Sequence, residues 1–344
     1  MIQLTERESI ILESLIYNFI KTATPIGSRF LSKKLSSKLS PATIRNVMLD
    51  LDEKGLISQP HTSAGRVPTD QGYRIFVNDL MRRISLSRPE KNAIEERLSC
   101  LSRDQDLILT KSAKVLSDIS RQLGVVLAPR FEQGIFSRLE LIHLAEKKIL
   151  IVISIKSGLV RTITIELKSD ISPSKLEETA RVLNERLHGL TLAEIRDSIG
   201  KRLDDITEGD IGLIDLFIET VDTLFSLDDT DNVHLEGVHY VVGQPEFANL
   251  AKAQQILELI ENKKNVIVHV LNDSGTLDSI SIKIGGENQE KLMKEFSLVT
   301  SIYRVGNVTG VVGIMGPTRM QYAKMMALVD FVAGSLSKAL GSIN

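Results

Sequence analysis

Arg45 and Asn46 stand one turn into a segment that opens Ser40-Pro41-Ala42-Thr43. An arginine can bond guanine O6 and N7 through two N–H groups, and an asparagine can do the same to adenine N6 and N7. To read bases in a major groove, both must ride on a rigid helix, near its N-terminus. Their surroundings suit a polyanion. From Ser14 to Leu49 there are six basic residues (Lys21, Arg29, Lys33, Lys34, Lys38, Arg45) and no acid. Residues 1–83 carry 12 Lys/Arg against 8 Asp/Glu, although the whole chain has a net charge of −2. Positive charge confined to one small region is the footprint of phosphate binding. The opposite extreme is Asp204 to Asp231, with ten acids and no Lys or Arg. That stretch is either a solvated helix face or a surface that keeps DNA from the wrong side.

The elements that must position these side chains are legible in order. Thr5-Glu6-Arg7-Glu8 is a capping box, and Ile11, Leu15 and Phe19 give a first helix of about 16 residues with one buried stripe. Pro25 ends it by disfavouring helical backbone at Thr24. A short helix at 28–36 has Leu31 and Leu35 inward and Lys33 and Lys34 outward, and Ser36-Ser37-Lys38-Leu39 forms a turn. Ser40 then caps a third helix with Pro41 at its first position, where a missing N–H costs nothing. Ile44, Met48 and Leu51 bury one stripe of it, and Gly55 ends it. Two helices across a short turn, the second rigidly capped, make a helix-turn-helix. Leu56–Pro60 and Val67-Pro68 read as the strands of a β-wing, with His61-Thr62-Ser63-Ala64-Gly65-Arg66 as a polar tip suited to backbone or minor-groove contact. Thr69 or Asp70 caps a helix with Tyr73, Phe76, Val77 and Leu80 inward. The plainer alternative is a three-helix bundle with a stray hairpin. The candidate DNA-binding set is Arg29, Lys33, Lys34, Ser40, Thr43, Arg45, Asn46, His61, Thr62, Ser63 and Arg66. Within it Arg45 and Asn46 are assigned to bases, and Lys33, Lys34 and Arg66 to phosphates.

Three stretches in this region, Pro25–Ser28, Ser40–Asn46 and His61–Thr69, resemble the heat-inducible transcription repressor family (HrcA). Gly313-Ile314-Met315-Gly316-Pro317-Thr318-Arg319-Met320-Gln321-Tyr322 resembles that family too, so the similarity spans nearly the whole chain. One departure is Val47, where the family usually has an acid. The resemblance implies a dimeric repressor of chaperone operons. It further implies an inverted-repeat operator and a response to the GroEL-type chaperonin.

Beyond residue 83 the chain reads as α+β. Residues 84–104 form a linker or connecting helix. A helix follows up to Gly124, then a short strand, Val125–Leu127. Strands at Leu139–Leu144, Ile149–Ile155 and Val160–Leu167 make an antiparallel meander. Helices are expected at about 173–188, 191–200 and 210–226, and Asp228–Asn232 as a loop. Next come a strand at 238–242, a helix at 249–261, strands near 265–271, 279–284, 298–304 and 310–315, and a last helix at about 319–340. A mostly antiparallel sheet with its first and last helices on one face is GAF-like, and the resemblance implies the same. The division is then 1–83 winged helix-turn-helix, 105–133 with 231–344 GAF-like domain, and 134–230 inserted dimerisation domain.

No catalytic constellation emerges. The six histidines (His61, His143, His188, His234, His239, His269) are scattered, and no pair has helical ligand spacing with a carboxylate. No metal or cofactor is expected. No Walker loop, dinucleotide fingerprint, nucleophile elbow or EF-hand loop occurs, and Ile284-Gly285-Gly286 is a strand-end turn. Around Thr318-Arg319, a helix start could hold an anion. The plainer alternative is a turn-and-cap with Arg319 on main chain or a carboxylate. One cysteine, Cys100, excludes an internal disulfide. The acidic opening residues are unlike a signal peptide, and Ile149–Ile155 is far too short to span a bilayer, so a cytoplasmic protein is expected. A sequence-specific repressor is the leading expectation. A small-molecule sensor with a pocket in the GAF-like domain and a non-catalytic protein-interaction scaffold are the alternatives.

Overall fold

The computed structural model describes residues 2–35, 39–62, 64–99, 104–167, 171–205, 211–225, 232–262, 264–274 and 280–341. Ser36–Lys38, Ser63, Cys100 and all but Asn232 of the expected 228–232 loop lie outside the described residues.

Helix α1 (Glu6–Thr22) starts on the expected capping box: Thr5 N donates to Glu8 Oε2 (2.8 Å) and Glu8 N to Thr5 Oγ1 (3.3 Å). It ends at Ala23, whose φ of 52° places it in the left-handed region, two residues before Pro25. Its buried stripe is broader than the sequence spacing suggests. Leu12, Ile16 and Ile20 are buried beside Ile11 and Leu15, and Phe19 is only half-buried. Helices α2 (Ser28–Lys34) and α3 (Pro41–Glu53) pack against each other, with Leu31, Ile44, Met48 and Leu51 inward. Strands β1 (Ile57–Ser58) and β2 (Val67–Pro68) pair antiparallel, Ile57 opposite Pro68. Helix α4 (Asp70–Ile75) is capped by Thr69 Oγ1, which accepts from Gly72 N (3.1 Å). It runs on into a wider π turn over Phe76–Leu80.

Helix α5 (Arg88–Ser99) falls in the stretch that reads as a linker, yet it packs on α6 (Gln105–Ser120) through buried Ile94 and Leu98. Two apolar positions in a charged helix give too weak a period to announce that face. Helix α6 ends at Arg121, in left-handed backbone, so Gly124 belongs to strand β3 (Leu123–Leu127).

Strands β4 (Phe136–Ala145), β5 (Lys148–Ile155) and β6 (Val160–Glu166) form the expected meander. Helices α7 (Pro173–Leu187), α8 (Leu192–Leu203) and α9 (Ile211–Phe225) follow it, and α7 packs on β4. Strand β7 is Val233–Glu236.

Two expected strands are helices: α10 (Val238–Val242) and, after α11 (Leu250–Asn262), α12 (Lys264–Ser274). Both are rich in β-branched residues, which lean toward strand. Gly237, at φ 90°, turns the chain out of β7 before α10. In α12 the buried positions Ile267, Val268, Val270 and Leu271 follow helical spacing, and burial against the sheet outweighs propensity.

Strands β8 (Ser281–Ile284), β9 (Phe296–Val305) and β10 (Val308–Pro317) lead to the final helix α13 (Tyr322–Gly341). One antiparallel sheet has the order β7-β3-β10-β9-β8. Val126, Val312 and Ile314 face α6 and α13, whereas Val125, Val311 and Met315 face the core built with α10–α12. Thr318 does not cap α13, which begins four residues later. Among the described residues, no helix is long and apolar enough to cross a membrane.

One polar contact fixes the relation of α1 to α3. Lys54 Nζ, past the end of α3, bonds Glu8 Oε1 at 2.6 Å, and the Glu8 side chain is only 6% exposed. This hydrogen bond holds the Glu8 carboxyl below the usual carboxylate range. A group with a depressed folded-state pKa stabilises above its unfolded-state pKa, and the contribution is lost as pH falls through the folded value. Glu8→Gln should cost about 1 kcal/mol at neutral pH, and the two proteins should converge in stability as pH falls below about 4. Thermal unfolding across pH measures this, and a gap that persists undiminished in acid counts against it.

Candidate nucleic-acid interface

Helix α3 is held at its start. Ser40 Oγ accepts from Thr43 N (3.1 Å) and lies 2.9 Å from Thr43 Oγ1, so these two hydroxyls share a hydrogen bond at the cap. Ser40 is exposed and Thr43 half-buried. With Ile44, Met48 and Leu51 in the core, the opposite face carries Arg45 and Asn46, both exposed. Arg29, Lys33 and Lys34 are exposed on α2, which packs beside α3, and Lys34 Nζ sits 5.9 Å from the ring centre of exposed Phe30. The helix face and the basic face thus share one small unit.

The hairpin is tied to that unit at its base. Ile26 and Arg66 exchange two main-chain hydrogen bonds (2.9 and 2.8 Å), joining the segment before α2 to the strand end. At the tip, Gln59 Nε2 donates to Thr62 O (2.9 Å) and Ala64 O (3.0 Å), and His61 and Thr62 are exposed. Ser63 lies outside the described residues. Arg66, expected on a phosphate, has an internal partner here. Its Nε lies 3.0 Å from Asp52 Oδ2 on α3, and its side chain is 14% exposed. This pair joins hairpin to helix.

Two of the histidines beyond this unit have neighbours of an ordinary kind. His234 Nδ1 bonds Thr110 Oγ1 (2.9 Å), and the His239 ring lies against Tyr240. Among the described residues no group of three or more His, Cys, Asp or Glu could hold a metal ion. Arg319 follows the plainer expectation: it bonds the Ile20 carbonyl (2.8 Å) and the Glu246 carboxylate, not a free anion site.

The profile of the HrcA protein C-terminal domain matches residues 106–326. A heat-inducible transcription repressor HrcA from Chlorobium phaeobacteroides (strain BS1) is 41% identical over 350 residues, spanning 98% of each chain. The protein of that name from Prosthecochloris aestuarii (strain DSM 271 / SK 413) is 40% identical over 354 residues, spanning 100% of this chain and 99% of its own. The chain belongs to the HrcA family. A crystal structure of a hypothetical protein at 2.2 Å resolution is also similar to it, with a TM-score of 0.64 at 22% identity over 99% of this chain and 100% of that one. That likeness concerns the fold alone.

Within this HrcA chain, sequence reading passed over Leu49. It is 45% exposed and lies on the same face as Arg45 and Asn46, four and three residues before it. Counting the helical wheel outward from the buried stripe would have found it. Asp52, the partner of Arg66, was equally invisible, because the pairing depends on where the hairpin returns.

Gly65 carries a further constraint. A Cβ there would fall 2.5 Å from the carbonyl carbon and oxygen of Ile26, atoms of the backbone bridge itself. Gly65→Ala should therefore displace the hairpin and cost about 1–3 kcal/mol in stability. An unchanged thermal midpoint would show that the hairpin is not seated as described.

Proposed function

We propose that this chain is a non-enzymatic transcription repressor that binds an inverted-repeat operator of heat-shock chaperone operons as a homodimer. The N-terminal unit, 1–83, is the winged helix-turn-helix reader: α3 enters the major groove and the β1–β2 hairpin is the wing. The observation that carries this is the capped α3, with Arg45 and Asn46 exposed on a unit of positive charge excess. Membership of a family named for heat-inducible repression supports the same role. The chaperonin response rests on the family resemblance alone. A repressor of chromosomal operons would act in the cytoplasm, and this reading therefore puts the protein there.

The rest of the chain serves assembly on this reading. Residues 105–133 with 231–344 form the GAF-like domain, and 134–230 the inserted dimerisation domain. Support comes from the sheets, since β3 shares one sheet with β7–β10 while β4–β6 form their own. The meander face turned away from the core exposes Ile142 (42%) and Val160 (51%), with half-buried Leu150 and Val152 between them. The exposed Arg138–Glu140 pair borders these apolar side chains on the same face, and an apolar patch with a polar rim suits a protein contact. A single winged helix covers only about 600–1,000 Å² of DNA interface, and a two-fold dimer doubles the reading.

The test is quantitative binding of the full chain to an operator selected from random duplexes. Arg45→Ala should lose about 1–3 kcal/mol on the operator and little on scrambled DNA. Lys33→Ala should weaken both alike and lower the salt slope by about one. Equal losses from Arg45→Ala on both duplexes would make Arg45 a phosphate contact.

Leu49 extends the reading, since an apolar side chain beside Arg and Asn matches a thymine methyl group. Replacing one operator thymine by deoxyuridine should weaken wild-type protein but leave Leu49→Ala unaffected. If every such replacement costs both proteins equally, Leu49 has no part in recognition.

A further inference from the structure

The winged helix meets the GAF-like domain through buried apolar and aromatic side chains and a small set of charged contacts, and Arg319 stands at the centre of the charged set. It follows Pro317 at the end of β10, and its side chain is 12% exposed. Nε and Nη2 engage the Glu246 carboxylate, and Nη2 also reaches Gln244 Oε1 (3.0 Å). Nη1 donates to Ile20 O (2.8 Å) in the last turn of α1.

That carbonyl needs a donor. The last four carbonyls of a helix lack intrahelical partners, and the Thr24 N–H that would serve Ile20 turns to Thr22 Oγ1 (3.4 Å) instead. A cation at a helix C-terminus also meets the negative end of its dipole. Arg319 therefore caps α1 from the other end of the chain, with Glu246 holding its guanidinium in place.

The second point of attachment lies on α4. Arg74 pairs with Glu287 and donates to Ile282 O (2.6 Å), while Gly286 N donates to Asp70 Oδ2 (2.7 Å). Between the two points Tyr73 packs on Tyr322, ring centres 5.9 Å apart. Tyr322 has hydrogen bonds to Thr318 O (2.6 Å) and Ser297 Oγ (2.8 Å). The Tyr73 hydroxyl, on a residue 1% exposed, has none among the described residues. A buried hydroxyl left unbonded is tolerated only where neighbouring contacts impose the geometry. A polar seam between domains allows relative motion unless specific bonds prevent it.

We propose that Arg319 is a positioning residue for operator binding, fixing the angle of the winged helix on the GAF-like domain and hence the half-site spacing the dimer accepts. This rests on the operator reading. With two readers held rigidly, each added base pair turns one half-site by about 34–36° around the duplex, out of reach of its reader. Without Arg319, the Ile20 carbonyl loses its donor and the reader can swivel on the Arg74 and Asp70 contacts and the Tyr73–Tyr322 packing.

The experiment is binding of the full chain to operators with the spacer changed by one or two base pairs either way. Wild type should lose about tenfold off its optimum, the loss that one mismatched base pair brings. Arg319→Ala should flatten this profile to about threefold, as expected of sites joined by a flexible link, while keeping its preference for operator over scrambled half-sites. Arg319→Lys, which lacks the fork, should behave like Arg319→Ala. If Arg319→Ala fails to fold, Glu246→Gln should give the same flattening in milder form. A folded variant with the wild-type spacer profile overturns the proposal, and so does tighter binding at an unchanged optimum. Wild-type indifference between operator and scrambled half-sites would sink the operator reading itself, a result distinct from either.

Discussion

Strand β3 has to be hydrogen-bonded along both edges by strands that the chain supplies more than a hundred residues later, and the larger part of the molecule follows from that pairing. All five of its residues are buried, so neither edge can be left to water. Gly124 lets α6 approach closely, because a Cβ there would fall 2.0 Å from Ala113 O. The Tyr303 hydroxyl, fully buried, closes the far end by donating to Leu127 O (2.9 Å). Ala128 N donates to Asn232 O (2.8 Å), so the chain leaves the sheet and returns at one place. Closing a long loop costs little more than closing a shorter one. An intervening segment with its own three-stranded sheet can therefore be carried without distorting the parent sheet.

The same sheet governs the N-terminal unit. Strand β10 pairs with β3 on one edge and β9 on the other, and it ends at Pro317, two residues before Arg319. The position of a guanidinium that bonds α1 is thus set by the register of a strand in another core. The buried residues of the N-terminal unit run on into the cluster that α6 and α13 build, so its orientation is set from outside itself. That separates two properties of the unit. How α3 is seated within it depends on Ser40, Ile44 and Met48, whereas how it is oriented on the larger sheet depends on residues from 244 onward.

This separation explains what was legible in the sequence. Elements specified locally were read with little error. The Thr5/Glu8 box, the Ser40-Pro41 start, the meander and its following helices all carry period and punctuation within a few residues. The failures share a cause. Helices α10 and α12 are composed like strands and become helices because they cover a sheet face. Helix α5 hides two buried residues in a charged sequence. Of the candidate site, the bases of the argument, Arg45 and Asn46, stand exposed as the helical period requires. From sequence Arg66 is assigned to a phosphate and Arg319 is left between an anion and a carboxylate, because their partners, Asp52 and Glu246, lie in other elements of the chain. An isolated sequence shows a positive charge, and only the fold shows whether it is already neutralised.

Arg66 bears on how the wing would work. A half-buried guanidinium paired with Asp52 could reach a phosphate only by leaving a carboxylate unpaired, and breaking such a pair is unfavourable. The pair therefore acts as a joint. Together with the Ile26 bridge it fixes the hairpin to α3, so His61 and Thr62 are placed relative to Arg45 before any DNA is met. On the operator-binding proposal, phosphate attraction would rest first on Arg29, Lys33 and Lys34 on α2, whose side chains are exposed. Groove contact by the hairpin would gain from the joint at its base, since a segment already held in place loses less conformational freedom on binding than a loose one.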